Sequence, residues 1–331
     1  MQVPTITPSS SFSSASSASS NLQLPSSGVA LLSHLGVIEV SGEDNIRFLN
    51  GQLSNDLNQL APNQARLAAF CSAKGRMQAS FVAVKRENDN VLLICSYDVL
   101  APTLKRLSMF VMRAKAKLRD ATSDFSLYGL LGESASAFDA EGVLPWSAAH
   151  AGDASVVQLY PAQGLARQLW LAPLGTPAPT GSALPLADWL CSEALSGVAT
   201  VTAAVVEAFV PQMLNYESVG GVSFKKGCYP GQEVVARSQF RGALKRRAYV
   251  THMPAVANDA LVQSGQELFS SKDPEQPCGL VVQAARSSQG AWLAIVSMQN
   301  SAAESGDLHL SGPGGAPVTL LPLPYALLED I

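Results

Sequence analysis

Short runs of apolar residues, rich in β-branched side chains, recur through the N-terminal part of the chain. Leu35–Val40, Met77–Lys85 and Val91–Cys95 have the composition and length of buried strands, and Arg113–Leu118 is also strand-like. A polar turn at 87–90 joins the second and third of these segments. Together they predict one sheet.

Two helices are predicted between these strands. Apolar residues recur at helical spacing over Asp98–Phe110. A shorter helix through Ile46 and Phe48 is expected to start at a Ser41 cap, with Asp44 in its first turn. The resulting order of strand, helix, two strands, helix and strand predicts a ferredoxin-like unit.

The second half of the chain changes character twice. Glycine, proline and alanine are frequent over 140–185, where Val156–Tyr160 and Gln168–Ala172 are candidate strands, and a helix is predicted over Ala187–Leu195. From about Arg247 the chain becomes all-β, which predicts a small barrel or sandwich. The candidate strands are Arg247–His252, Gln266–Phe269, Gly279–Ala285, Trp292–Met298, Asp307–Leu310 and Val318–Leu321.

The composition sets limits on this outline. The chain has 331 residues, of which 47% are hydrophobic and 15% charged, and its formal net charge is −4. This length predicts two or three domains with a sizeable core. Because the net charge is negative, any nucleic-acid-binding surface has to be local.

Targeting and metal-binding signals are missing from the sequence. Residues 1–27 are Ser-rich, without the basic and apolar parts of a secretory leader, and are expected to form a disordered tail. The five cysteines form no CxxC and the four histidines are scattered, so we expect no zinc site and free thiols. With no long apolar stretch for a membrane helix, we expect a cytoplasmic protein.

The residues around Cys228 carry the strongest chemical signal. Gly227 and Gly231 bracket the cysteine, and a helix is predicted to follow over Gln232–Phe240. The positive end of that helix and the adjacent Lys226 favour a thiolate, which would be a nucleophile or a metal ligand. The alternative is a buried cysteine that only packs.

Basic residues concentrate in the same part of the chain. Seven of the 22 Lys and Arg residues fall in the strip Lys225–Arg247, with Phe224, Tyr229 and Phe240 between them. This mixture suits a ligand that has a ring and an anionic group, or a nucleic-acid backbone. A solvated basic helix face is the alternative reading.

The segment Lys226-Gly227-Cys228-Tyr229-x-Gly231-Gln232-Glu233 resembles the signature of the YgfZ family of folate-binding, T-protein-like proteins. The segments at 54–57, 71–76 and 209–215 also resemble that family, as does the helix with Trp189 and Glu193. The resemblance implies an α+β, three-domain T-protein-like cloverleaf with a ferredoxin-like N-terminal unit, a C-terminal β-barrel and a folate-binding central channel. The expected boundaries are a tail at 1–27 and domains at 28–140, 141–245 and 246–331.

The resemblance also implies a function and its residues. It implies an accessory protein that binds tetrahydrofolate or another reduced folate and supports iron–sulfur cluster assembly or repair. Through radical tRNA-modifying enzymes this would affect tRNA methylthiolation, with a further tRNA contact at Lys225–Arg247. The implied reactive centre is Cys228, also a candidate cluster contact, with Lys226. The implied folate-binding residues are Trp189, Glu193, Gln212, Asn215, Tyr229, Gln232, Glu233 and Arg237.

Several departures from the T-protein pattern argue against the activity of a classical aminomethyltransferase. Gln78 and Ala79 stand where the aminomethyltransferases carry carboxylates, and the pocket helix has no arginine at 191–194. Trp189 is either a core residue or a platform for the pterin ring. A folate-dependent aminomethyltransferase and a direct tRNA-binding protein remain the alternatives.

Overall fold

A computed structural model describes residues 23–86, 90–136, 143–240, 244–254 and 261–328. Most of the predicted Ser-rich tail, the predicted turn at 87–89 and Arg241 of the basic strip lie outside the described residues. The elements of the first part are β1 (Ser27–Leu31), β2 (Leu35–Ser41), α1 (Asn45–Asn50), β3 (Ala65–Cys71), β4 (Met77–Lys85), β5 (Val91–Ser96), α2 (Tyr97–Ser108), β6 (Lys117–Asp120) and β7 (Phe125–Gly132).

The second part of the chain contains nine strands and three helices among the described residues. They are β8 (Ala148–Ala151), β9 (Ala154–Gln158), β10 (Arg167–Pro173), α3 (Leu186–Leu195), α4 (Gln232–Phe240), β11 (Arg246–Met253), β12 (Glu267–Ser270), β13 (Asp273–Arg286), β14 (Trp292–Gln299), α5 (Asn300–Ser305), β15 (Leu308–Leu310) and β16 (Pro317–Leu321). Short 3-10 turns lie at Ala203–Val205 and Pro211–Leu214.

The N-terminal sheet has the strand order β3-β4-β5-β2-β6, with antiparallel neighbours throughout. Strands β2, β4, β5 and β6 with helices α1 and α2 form the predicted ferredoxin-like unit. The additional edge strand β3 was not predicted, since its sequence is rich in alanine and weak in β propensity.

Two predicted element boundaries in this unit are wrong. Ser41 does not cap α1, because it is the last residue of β2 and pairs with Lys117; Asp44 occupies the position before the helix. The strand expected at Arg113–Leu118 begins only at Lys117, because turns occupy the preceding residues.

A second sheet has the order β1-β7-β10-β9-β8. Strands β1 and β7 fall within the predicted 28–140 domain but pair in one sheet with strands from the next segment. The boundaries of the three domains stay predictions. Helix α3 packs between this sheet and the barrel, since Trp189 joins the sheet's core and Cys191 joins the core shared with the barrel.

The six C-terminal strands close a barrel in the order β11-β14-β13-β12-β15-β16. This confirms the barrel and not the sandwich. The residues after the barrel return to the middle of the molecule: the Tyr325 hydroxyl donates to Gly197 O at 2.8 Å, and Leu328 O accepts from Arg247 Nη2 at 2.9 Å.

Candidate functional site

The predicted signature segment folds as a turn that leads directly into α4. Gly231 has a φ of +80° and lies against the turn that follows β3. A Cβ atom at Gly231 would lie 2.6 Å from the Gly75 nitrogen, and one at Gly75 would lie 2.8 Å from Val234 Cβ. Two glycines therefore allow the segments at 71–76 and 226–233 to touch.

A third predicted segment, at 54–57, is bonded to the loop that precedes the signature turn. Ser54 Oγ donates to Gly221 O at 2.6 Å, and Asn55 Nδ2 donates to Gly220 O at 2.7 Å. Three segments that are distant in sequence thus meet around Cys228. Asn55 acts here as a buried structural anchor.

Lys226 is buried beside this turn, with 8% of its surface exposed. Its Nζ donates to Asn50 O at 2.6 Å and to Gly227 O at 3.2 Å. Burial lowers the pKa of Lys226 to about 8, against the opposing effect of the Asp56 and Cys228 charges. The positive charge next to the thiol is therefore lost at mildly alkaline pH.

Cys228 is exposed, and the other four cysteines are buried; all five are free thiols. Burial raises the pKa of Cys71, Cys95 and Cys191 to about 12 and also raises that of Cys278. The expected exposure of Cys228 is confirmed. Among the five thiols, Cys228 is the one that solvent and reagents can reach.

Two of the predicted folate residues hold elements together near the turn. Gln212 Nε2 donates to Val235 O at 2.7 Å, and Asn215, in the left-handed region with a φ of +58°, donates from Nδ2 to Ala248 O at 2.8 Å. Both residues are buried. They tie the 3-10 turn at 211–214 to α4 and to the barrel.

The remaining predicted residues of this segment lie on or beside α4. Glu233 and Arg237 are exposed and form an ion pair one turn apart, and Gln232 is partly exposed at the start of the helix. Tyr229 is buried, with its ring centroid 4.6 Å from Lys226 Nζ.

The basic strip at 225–247 does not form one continuous surface. Lys226 and Arg247 are buried, and Arg247 pairs with buried Glu217 at 2.5 Å. Lys225 and Lys245 are exposed. The strip therefore contains two kinds of cation. Lys226 and Arg247 are buried and bonded within the protein, whereas Lys225 and Lys245 face the solvent.

A separate cavity lies between the N-terminal sheet, the second sheet and α3. Its apolar wall with a few polar groups is typical of small-molecule sites. Its aromatic and charged lining residues are Phe81, Trp146, Tyr160, Arg167, Trp189, Glu193 and Tyr216.

Trp189 and Glu193 lie one helical turn apart on α3. Trp189 Nε1 donates to Glu193 Oε1 at 2.8 Å. The indole is 1% exposed, and a Cβ atom at Gly129 of β7 would lie 2.5 Å from its ring. Trp189 is therefore a tightly packed part of the cavity wall.

Arg167 of β10 supplies a guanidinium group to the same wall. Its Cζ lies 4.5 Å from the centroid of the Trp189 ring, and its Nε donates to Ser192 Oγ at 2.9 Å. Burial lowers the pKa of Arg167 to about 10, while the charge of Glu193 acts in the opposite direction. The strand thus provides the cation that the α3 sequence lacks.

Glu193 is the anionic centre of this wall. Its Oε1 pairs with His34 Nε2 at 3.3 Å, and its Oε2 accepts from Gln283 Nε2 of the barrel at 2.8 Å. Burial alone would raise the pKa of Glu193, but His34, Arg167 and Trp189 together lower it. The carboxylate is therefore kept ionised inside an aromatic cavity.

The comparisons with known proteins agree along most of the chain. A model of the GCVT N-terminal domain matches residues 12–140. The tRNA-modifying protein YgfZ of Sodalis glossinidius is 30% identical over 333 residues, covering 93% of this chain and 97% of that protein. The protein of the same name from Yersinia enterocolitica is also 30% identical, covering 89% of this chain and 91% of that protein. This chain belongs to the YgfZ family.

A solved structure shows the fold of this YgfZ-family chain. The glycine cleavage system aminomethyltransferase T from Bartonella henselae superposes with a TM-score of 0.60 at 15% identity, covering 91% of this chain and 86% of that chain. The predicted α+β T-protein-like fold with a C-terminal barrel is confirmed.

The site residues predicted for this YgfZ-family member fall into two separate places. Trp189 and Glu193 line the cavity, whereas Lys226, Cys228 and Tyr229 surround the signature turn. Among the described residues, no member of the signature segment lines the cavity. The two groups can therefore act independently.

Sequence analysis missed three polar residues around the cavity. Arg167, His34 and Gln283 come from β10, from the turn between β1 and β2, and from β13. Each is far from Glu193 in sequence and lies in no motif. One sequence signal for a distant cation was available. Helix α3 carries Glu193 but no arginine, so a positive charge from another element was needed to neutralise this carboxylate.

Gln78, which the resemblance places where the aminomethyltransferases have a carboxylate, lies on β4 and contacts Glu207. Its Nε2 donates to Glu207 Oε1 at 2.7 Å, and Glu207 has a φ of +61°. A carboxylate is therefore present beside position 78, but it belongs to Glu207, and the Gln78 amide donates a hydrogen bond to it.

Within the part of the chain that the structure describes, no group of three or more His, Cys, Asp or Glu side chains is arranged to hold a metal ion. None of the described helices combines the length and apolar character needed to cross a bilayer.

Proposed function

We propose that this protein supports tRNA modification through an iron–sulfur-dependent step, with Cys228 as its reactive group. The observation that carries this proposal is the likeness to proteins named tRNA-modifying protein YgfZ over nearly the whole of both chains, together with the exposure of Cys228 in the signature turn of this chain. The free thiols fit a reducing cytoplasm. The clients would be radical tRNA-modifying enzymes, whose clusters a thiolate could contact during assembly or repair.

A reduced folate is the proposed ligand of the cavity. The aromatic walls of the cavity suit a flat ring such as a pterin. Glu193 Oε2 accepts one hydrogen bond from Gln283, so it keeps a lone pair for the amino edge of a pterin. Arg167 would attract the negative charge of the ligand.

The test is genetic complementation with a matched cysteine control. A bacterium that lacks its own copy of the gene is given wild type, Cys228→Ala or Cys278→Ala, and tRNA methylthiolation is measured by mass spectrometry of nucleosides. We expect wild type and Cys278→Ala to restore the modification and Cys228→Ala to fail at equal protein levels. Full restoration by Cys228→Ala would refute the role of the thiol, and no restoration by wild type would refute the function.

A direct tRNA contact is a second proposal, supported by the exposed cations Lys225 and Lys245. Each phosphate contact to single-stranded RNA adds about −0.7 to the slope of log affinity against log salt. Lys225→Glu with Lys245→Glu should weaken tRNA binding and flatten that slope. Identical slopes for wild type and variant would remove this contact.

A further inference from the structure

A second concentration of positive charge lies outside the signature segment. Residues 105–119 contain six Lys and Arg residues and no Asp or Glu, in a chain whose net charge is −4. All six are exposed at the end of α2 and in the turns and strand that follow it. Neither the cavity nor the Cys228 turn uses them.

Most of these cations have no acidic partner. Lys115 pairs with Glu43, and Arg119 pairs with Glu39 and Asp124. The other four, which are Lys105, Arg106, Arg113 and Lys117, form no ion pair with any residue that the structure describes. Their charge is therefore available to a partner.

Large apolar side chains stand between these cations. Met109 is 70% exposed, Phe110 is 42% exposed and Met112 is 88% exposed. Single exposed apolar residues are ordinary, but three large ones within four positions concentrate exposed apolar surface, and such surface marks interaction sites. Methionine, phenylalanine and arginine are also the residue types enriched in protein–protein interfaces.

A groove beside α2 extends this apolar surface into the body of the protein. Its lining includes the apolar residues Val99, Pro102, Met109 and Val206. Val206 is 41% exposed. Lys105 and Arg106 belong to the same lining, so an apolar slot lies next to unpaired positive charge.

We propose that the surface formed by Lys105, Arg106, Met109, Phe110, Met112 and Arg113, here called the α2-end surface, docks an acidic amphipathic segment of another protein. The apolar residues of that segment would enter the groove and pack against Met109. Its Asp and Glu residues would meet the three cations of the surface. Amphipathic helices bind apolar grooves in this way, and methionine adapts its shape to the partner.

The shape and chemistry of the surface favour a protein segment over the two other polyanions that a basic patch attracts. RNA bases need flat aromatic platforms, and the most exposed apolar residues here are the two unbranched thioethers Met109 and Met112. A bilayer surface is flat on this scale and could not fill a groove, whereas a helical side chain can.

Two synthetic peptides provide the probes. Both are about 18 residues long, enough for a stable helix, and have leucine at i, i+3, i+4 and i+7. The polar face of one is glutamate and that of the other is lysine. Fluorescence anisotropy with the full-length protein should show binding of the acidic peptide, weakened by salt, and none of the basic peptide.

Negative charges introduced at the exposed methionines identify the site. Met109→Glu combined with Met112→Glu should weaken binding of the acidic peptide by about tenfold or more, because it removes apolar contact and adds repulsion. Leu174→Glu is the matched control, since Leu174 is 69% exposed on the turn after β10. Both variants change only exposed side chains, so both should unfold at the wild-type temperature.

Several results would overturn the proposal. These are no binding of the acidic peptide up to millimolar concentration, equal binding of both peptides, or an equal loss of affinity in Leu174→Glu. Titrations with bulk tRNA and with vesicles of phosphatidylglycerol and phosphatidylcholine complete the design. If the double variant lost affinity for either of these and not for the peptide, the surface would bind that polyanion instead.

Discussion

Cys228 differs from the other four cysteines in its access to solvent and in the lysine beside it. The other thiols are buried, and burial raises the pKa of three of them to about 12. Cys228 is exposed, and its negative charge interacts favourably with buried Lys226. A thiolate at this position therefore keeps both a counter-charge and a path to solvent.

Alkylation should single out this residue. In native protein at pH 7.5, iodoacetamide should modify Cys228 at least about tenfold faster than any other cysteine, because it alone combines exposure with an adjacent cation. Peptide mass spectrometry at successive times measures the rate at each site. Equal labelling of Cys278 and Cys228 in folded protein would contradict this.

Lys226 should control the pH dependence of that reaction. Its pKa is lowered to about 8, so the ammonium is present at neutral pH and is lost above about pH 9. Lys226→Met should therefore slow alkylation of Cys228 at pH 7 by a few-fold and have little effect at pH 9.5. A constant ratio of rates across this range would show that the charge does not act on the thiol.

At the level of elements, the signature turn depends on close approach of two backbones. Gly231 lies against the turn after β3, and its φ of +80° is one that other residues adopt only with strain. The chemistry at Cys228 is thus built on a contact between the N-terminal unit and α4. Gly231 provides the space for this contact in the same turn that holds the reactive group.

Substitution of the two glycines of the motif should give different results. Gly231→Ala should reduce the free energy of unfolding by about 3 kcal/mol, through strain at positive φ and a clash with the turn at 72–75. Gly227→Ala is the control, because no atom lies within 4 Å of its added methyl group. Urea denaturation measures both, and equal stability of the two variants would contradict the packing argument.

Sequence patterns predicted elements well where the pattern was local. The bounds of α4 and β4 were predicted correctly, because glycine and strand composition define them. Strand β7 was missed because Gly129 interrupts its apolar run, and that glycine is present because Trp189 packs on it. A glycine that accommodates a distant side chain looks like a strand breaker when only neighbouring residues are considered.

The candidate site was predictable to the same extent. The glycines and lysines around Cys228 lie within a few positions of each other, so their joint effect could be inferred from sequence. The cavity brings Arg167 of one element to Trp189 and Glu193 of another, and Gln283 arrives from the barrel. No local pattern relates such residues, because tertiary packing alone brings them together.

At the scale of the whole molecule, the cavity is closed by separate units, so a ligand bound there should stabilise all of them. Reduced folate at about 100 times its dissociation constant would add about 2.7 kcal/mol to the free energy of unfolding. Glu193→Gln should weaken this effect, because it removes the anionic acceptor while keeping the side-chain volume. Asp188→Asn, a buried change on the same helix outside the cavity lining, is the control.

Thermal unfolding monitored with folinic acid measures this prediction, and fluorescence provides a second signal. Trp146 and Trp189 line the cavity, so a bound pterin should quench emission. Equal stabilisation of wild type and Glu193→Gln would place the ligand elsewhere. Absence of any shift at millimolar folate would remove the ligand from the proposal and leave the role of Cys228 untouched.

The return of the chain after the barrel has a consequence for biosynthesis. The Tyr325 hydroxyl bonds to Gly197 O, and Leu328 O bonds to Arg247, so late residues complete the packing of much earlier ones. A nascent chain cannot make these contacts until residue 328 has left the ribosome. Until then the interior around Asn215 lacks its contact with Tyr325. We therefore expect chaperones to bind the unfinished chain, and we expect truncated translation products to be degraded.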